Sequence, residues 1–380
     1  MKRTSALILT LMVAVSADAQ PTVVVTGLPT PQKMIATASG NLLVSGSSPE
    51  PNTGQVLFVT PSGAQRELIA GLPSGIDRGT PAQIPYGPTA MALDGQTLFL
   101  AISVGDSIAP PESPAGSRYN PAGVSSPIFC SILEFRFSSA IDSIAGTFQL
   151  TPELQVSLSD GAEVALDDGL GTTASVRVLV DLPDFVPHPI EIYKFSNPWG
   201  LALSADGETL YMTDASINAL VAIDTGTGRW RRVIRFPVLP NIGPMGPPVV
   251  DSVPTSVRLY HPHLLVSFLT GFPFTPGHAR VLAVDPDDGT TQPFIFWLTS
   301  AVDILWRDIP GRRPQFFVLE FSQNQTAQPP APGRLLQYDS PEGRVVLDDL
   351  FGPVSLAYDE RSQTLFILEL GGRILALPLS

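Results

Sequence analysis

One segment recurs along the chain. NPWGLALSADGETLYMTD (197–214) is an apolar strand opened by Pro198, a tight Asp206-Gly207 turn and a second apolar strand. Five other segments keep its register, beginning at Pro31, Pro88, Pro254, Ala301 and Pro353. Most copies continue into a further apolar run that stops at an Asp- or Thr-led turn, as in QVLFVTPSG (55–63), ALVAIDTGTG (219–228), RVLAVDPDDG (280–289) and RLLQYDSPEG (334–343), and then into one more strand. Four such strands make one antiparallel sheet, and a propeller blade of that kind needs about 40–50 residues. The anchors fall 47 to 57 residues apart, except for a gap of 110 between Pro88 and Pro198. The pattern predicts an all-β, six-bladed β-propeller of four-stranded antiparallel blades over residues 20–380, with an insertion in the second blade at about 103–196.

The last copy has three strands only, VSLAY, TLFIL and RILALPL. PTVVVTGL (21–28), just before the first anchor, is the expected fourth strand, so that the two ends of the chain close the ring and cover a sheet edge. Within the insertion, SPIFCSILEFRF (126–137) and SVRVLVDL (175–182) read as the two outer strands of blade 2. FQLTPELQVSLSDGAEVALDDGLG between them reads as an extra hairpin, and GDSIAPPESPAGSRYNPAG (105–123) as an irregular loop across one mouth of the ring. With 39 Pro, 32 Gly and only 15% charged residues, the composition suits many short strands.

The first residues, MKRTSALILTLMVAVSADAQ, have the layout of a secretory signal peptide: Lys2 and Arg3, a short apolar run and the small-x-small site Ala17-Asp18-Ala19. Ten apolar residues are too few to cross a bilayer, so no membrane span is expected and the chain is expected to be secreted or periplasmic. Without residues 1–19 the formal charge of −13 becomes −14. Such a surface repels phosphate backbones, which excludes nucleic acid as a partner. RWRRVIRF (229–236), the most basic stretch, alternates charged and apolar residues as an exposed outer strand does. Cys130 is the single cysteine, and its setting in IFCSILEF makes it a core residue.

Familiar catalytic patterns are missing: there is no GxSxG, HExxH, CxxC or P-loop. GLGTTA (169–174) has dinucleotide-turn spacing but leads into the β-branched run SVRVLV rather than a helix, so a hairpin turn is expected. DPDDG (285–289) lacks the distal Glu of a calcium loop and sits in the turn column of the repeat. HPH (261–263) occupies the place of Asp206-Gly207 and is likewise expected to be a turn. The remaining candidates are carboxylates. At the last position of the second strand the six copies carry Gly46, Ile102, Asp214, Phe268, Glu320 and Glu369. In the first strand, the column of Gly200 holds Lys33, Ala90, Ser256, Asp303 and Ser355. Asp214, Asp303, Glu320 and Glu369 are therefore the candidate channel-mouth binding residues; their alternative role is to hold backbone amides at the strand ends.

SNPWGLALSADGETLYMTDASINALVAID, SVPTSV, LTGFPFTPGHARVLAVDP, LTSAVDIL and APGRLLQYD resemble the ScyD/ScyE family of secreted β-propeller proteins, over nearly the whole mature chain. The most specific part is SVPTSV through LTGFPFTPGHARV (252–281). The resemblance implies a six-bladed propeller outside the cytoplasm, similar in fold to NHL and gluconolactonase-like proteins, and no known reaction. Phe268 departs from the pattern, since an acidic residue is usual at that place in the repeat. Two functions compete. One is a binding module for a small molecule or an envelope or extracellular protein; the other is a gluconolactonase-like hydrolase or lyase whose carboxylates hold calcium or another divalent cation. A cell-envelope adhesion module is a third.

Overall fold

Six small antiparallel sheets follow one another along the chain in a computed structural model that describes residues 20–76, 84–106, 124–183, 186–188, 192–194 and 196–379. Residues 1–19, with the expected leader, and most of the expected 105–123 loop lie outside the described residues. Blade 1 consists of Pro31–Ala36, Leu42–Gly46, Gly54–Val59 and Gln65–Leu72. Blade 2 consists of Pro88–Asp94, Thr97–Ile102, Ser131–Phe137 and Thr173–Asp181. Pro198–Leu203, Thr209–Asp214, Ala219–Asp224 and Trp230–Arg235 form blade 3, and Pro254–Tyr260, His263–Phe268, Ala279–Val284 and Thr291–Leu298 form blade 4. Ala301–Arg307, Gln315–Glu320, Gly333–Tyr338 and Arg344–Leu350 form blade 5. Blade 6 takes Pro353–Asp359, Thr364–Glu369 and Arg373–Pro378 from the end of the chain, and Thr22–Val25 from near its start, with Thr22 opposite Ala376. Each innermost strand packs against the next, and that of blade 6 against that of blade 1, so the sheets stand in a closed ring.

Each blade is covered on both faces by its neighbours. Its second and third strands are therefore buried on both sides and read as continuous apolar runs, LLVSG and TLFLAI among them. Outer strands meet solvent and become mixed: WRRVIR is exposed at most positions, as its alternation suggested. Between blades 3 and 4 the inner strands approach closely at Gly200, where a Cβ would stand 2.9 Å from the Cα of Ser256. No larger residue fits there.

The insertion differs from expectation. Instead of a projecting hairpin, Phe148–Gln149 adds a parallel strand to the outer edge of blade 1, and Val164–Asp167 adds a fifth strand to blade 2. Between them Pro152–Ser159 is an α-helix, α1. Its start is set locally: Thr151 Oγ1 accepts the Leu154 amide and Pro152 occupies the first turn, where no intrahelical N–H is needed. Gln155 of α1 donates to the Gly71 carbonyl at 2.8 Å, tying the insertion to blade 1. Blades 1 and 2 thus have five strands rather than four. GLGTTA turns between Val164–Asp167 and Thr173–Asp181, as a hairpin. Asp285 Oδ1 accepts the amides of Asp287 and Asp288 and so closes the DPDDG turn, and His261-Pro262 turns between two strands of blade 4.

Candidate functional site: the channel and its mouth

All six inner strands begin at one end of the ring, the mouth face, and the second strands return to it. Five of the six begin with proline, which has no N–H to offer the ladder and is suited to a strand start on an edge. Directly after that residue each inner strand slips register, between Pro31 and Lys33, Pro88 and Met91, Pro198 and Gly200, Pro254 and Ser256, Ala301 and Asp303, and Pro353 and Ser355. A bulge re-aims one side chain. Here it gives each blade a residue outside the in–out alternation of its strand.

The bulged residues Gln32, Trp199, Thr255, Val302 and Val354 line a cavity of about 330 Å³ at the mouth. The connections above them complete it with Ile84, Tyr86, Phe274, Phe321 and others, and Trp199 meets Tyr86 edge to face at 6.0 Å. Its walls are mostly apolar, with Asn197, Gln32, Gln325 and Thr255 as the polar exceptions. This is the composition of a small-molecule site, which pairs an apolar body with a few convergent polar groups.

Below the mouth the channel narrows to about 20 Å³ and is lined by Lys33, Ala90, Gly200, Ser256, Asp303 and Ser355, the column expected from the repeat. Asp303 accepts from Arg258 at 2.9 Å, from the Leu356 amide at 2.9 Å and from Ser355 Oγ at 3.3 Å. Burial works against its charge, but Arg258 and Lys33 outweigh it and hold the carboxyl below the usual range. Lys33 donates to the carbonyls of Val302 and Val354, both at 3.3 Å. Burial lowers its pKa to about 8, against the pull of Asp303. Lys33, Asp303, Arg258 and Ser355 come from four blades, so this network is the lock of the ring.

The structure places the other three sequence candidates inside their own blades, and none of the four lines the mouth cavity. Glu320 Oε1 accepts the Thr299 amide at 2.6 Å, and Oε2 accepts from Arg334 on the adjacent strand. Burial pushes its carboxyl up in spite of Arg334. Glu369 repeats the arrangement, with the Phe351 amide at 2.8 Å and Arg373. Asp214 Oδ1 accepts the Asn197 amide at 3.0 Å. In each case the acid at the end of the second strand holds the backbone that leads into its own blade's inner strand. In blade 4 Phe268 takes this place, and Arg280, at the register of Arg334, lies over its ring at 4.7 Å.

A divalent cation does not fit this set. Arg258, Arg334 and Arg373 already direct N–H groups at Asp303, Glu320 and Glu369, and among the described residues no three His, Cys, Asp or Glu side chains converge. His261 and His263 flank the turn of blade 4, at the far end of their strands from the mouth. Cys130 is buried and its thiol lies 3.1 Å from the Ser196 carbonyl.

The molecule is thus an all-β, six-bladed propeller with a ligand-sized, mostly apolar cavity on its axis. No protein-family model and no curated protein sequence matches the chain. Among solved structures, it is similar to a putative oxidoreductase (glucose dehydrogenase) of Thermus thermophilus, 14% identical over 95% of this chain and 100% of that one, with a TM-score of 0.49. It is similar to an auxiliary nutrient binding protein of Bacteroides thetaiotaomicron, 9% identical over 92% of this chain and 69% of that one, with a TM-score of 0.49. A catalytically inactive virginiamycin B lyase of Staphylococcus aureus with quinupristin is 11% identical over 95% and 99%, with a TM-score of 0.43. No residue role is carried over from these proteins.

Proposed function

We propose that this chain is an exported propeller of the ScyD/ScyE type that binds a small, largely apolar molecule in the mouth of its channel. The observation that carries the reading is the 330 Å³ cavity into which bulged residues of five inner strands are turned. The Lys33–Asp303–Arg258 network beneath the cavity ties blades 1, 4 and 5 together and supports a preformed site. The carboxylates support the site from behind by fixing the strand entries. The leader-like start of the chain supports export, and the 252–281 segment supports the family resemblance.

The test is a titration of the mature protein with N-phenyl-1-naphthylamine, whose fluorescence rises in apolar surroundings. Saturable enhancement by the wild type, lost in a cavity-filling Ala215→Phe variant of unchanged fold, is the expected result. Equal enhancement by both proteins, or none by the wild type, overturns the reading.

A further inference from the structure

Two connections on the mouth side of blades 3 and 4 contain no charged residue. PVLPNIGPMGPPVV (237–250) leads from the outer strand of blade 3 to the inner strand of blade 4, with Leu239–Pro240 paired to Val249–Val250 as a short hairpin. LTGFPFTPG (269–277) joins the second and third strands of blade 4. The two pack on each other: a Cβ on Gly246 would stand 3.4 Å from the Phe272 ring and 3.0 Å from Pro273. Trp297 belongs to the same surface. It sits near the mouth end of the outer strand of blade 4, where a Cβ on Gly277 would stand 4.0 Å from its ring.

The large apolar side chains of these segments meet solvent. Trp297 is 82% exposed, Ile242 65%, Met245 53% and Phe272 52%. Single exposed apolar side chains are ordinary, but a group of them beside one opening marks an interaction surface. The mouth-end charges Glu50 and Asp349 stand on blades 1 and 5, outside this surface. At the opposite end of the ring the exposed turn residues are mostly charged, with Asp206, Glu208, Asp287, Arg312 and Asp339 among them. The protein is therefore polarised, with an apolar surface beside the mouth and charge at the far end.

Phe274 joins this surface to the cavity. It lines the mouth and meets Phe272 edge to face at 6.2 Å, so apolar side chains run without a break from the cavity wall to the outside. A protein seated here would cover the opening. A lipid bilayer would instead place the opening against an apolar phase.

We propose that the mouth side of blades 3 and 4 docks on a zwitterionic lipid bilayer, with Ile242, Met245, Phe272 and Trp297 entering the headgroup region. The choice of a bilayer over a protein rests on the mouth-cavity reading above; the docking itself does not depend on what the cavity holds. Aromatic side chains favour that interfacial depth, and with an overall charge of −13 the protein gains nothing from anionic headgroups.

Co-sedimentation of the mature protein with phosphatidylcholine vesicles tests this. The wild type is expected in the pellet, and a Phe272→Asp/Trp297→Asp double variant is expected to bind about tenfold or more weakly, with circular dichroism confirming the fold. Neither residue lines the cavity, so the variant is expected to keep the lipid-free titration with N-phenyl-1-naphthylamine. Phosphatidylglycerol in the vesicles is expected to weaken binding at low salt. A wild type that ignores phosphatidylcholine vesicles, binds them no better than the folded variant, or binds only when phosphatidylglycerol is present overturns the proposal. So does a wild type that ignores vesicles and dimerises where the variant is monomeric, which makes the surface a protein interface. If the variant does not fold, Ile242→Asp/Met245→Asp decides in the same way. Naphthylamine binding without vesicle binding removes the docking alone; vesicle binding without naphthylamine binding removes the mouth reading alone.

Discussion

Asp214 is expected to contribute less to stability at neutral pH than in acid. Its side chain is enclosed, and burial pushes the carboxyl from 3.8 up to about 6 against the pull of the Asn197, Ile217 and Ser216 amides and the Ser196 hydroxyl. The folded protein therefore binds a proton more tightly at this group than the unfolded chain does. The stability that follows is present below pH 4 and is lost as pH rises through 6. A shift of about two pH units at about 1.4 kcal/mol each gives about 3 kcal/mol in all, most of it between pH 4 and pH 8. Asp214→Asn keeps an acceptor for the amides and removes the charge. The variant is expected to match the wild type closely at pH 4 and to exceed it by about 2–3 kcal/mol at pH 8 in urea unfolding. Subtracting the two curves cancels every other titrating group. A difference that is constant across this range refutes the reasoning.

Lys33→Met tests the lock from the opposite direction. Burial lowers Lys33 from 10.5 to about 8, so the wild type is expected to gain about 2 kcal/mol on the variant between pH 8 and pH 10, read from urea midpoints. Phe268→Glu restores the acid of blades 5 and 6 beside Arg280 and is nevertheless expected to destabilise by about 3 kcal/mol, because Phe268 is fully buried and packs edge-on to Phe236 at 4.8 Å. A stabilised variant in thermal unfolding contradicts this. Glu369→Gln is expected to cost about 1–3 kcal/mol in urea unfolding, since it weakens the hold on the Phe351 amide and leaves Arg373 without its charge partner. An unchanged midpoint contradicts the structural role given to the column.

The ring was legible because its period is long, regular and punctuated: proline at five strand starts and Asp- or Thr-led turns fix the register of six copies. The channel column from Lys33 to Ser355 followed from that register alone. What lay outside it was harder to see. Thr151-Pro152 is a helix start that alternation in the same stretch obscured. The cation partners of Glu320 and Glu369 stand on the neighbouring strand, at Arg334 and Arg373, and appear only when strands are paired. The mouth is assembled from a bulge, which breaks the alternation that strand reading relies on, and from connections that share no pattern. Trp199 and Gln32 stand directly after the anchor prolines, and that position was the available signal.

The proposed function puts the ligand in the axial mouth and in no other hollow. A competing hollow is a groove of about 490 Å³ between blades 4 and 5, framed by Tyr260, Phe294 and Phe316. Those rings already pack edge to face on one another, with Phe294 and Phe316 at 5.0 Å. A crystal structure of the mature protein soaked with N-phenyl-1-naphthylamine decides between the two. The account requires ligand density between Trp199, Tyr86 and Phe274; density confined to the groove at Tyr260 and Phe294 contradicts it.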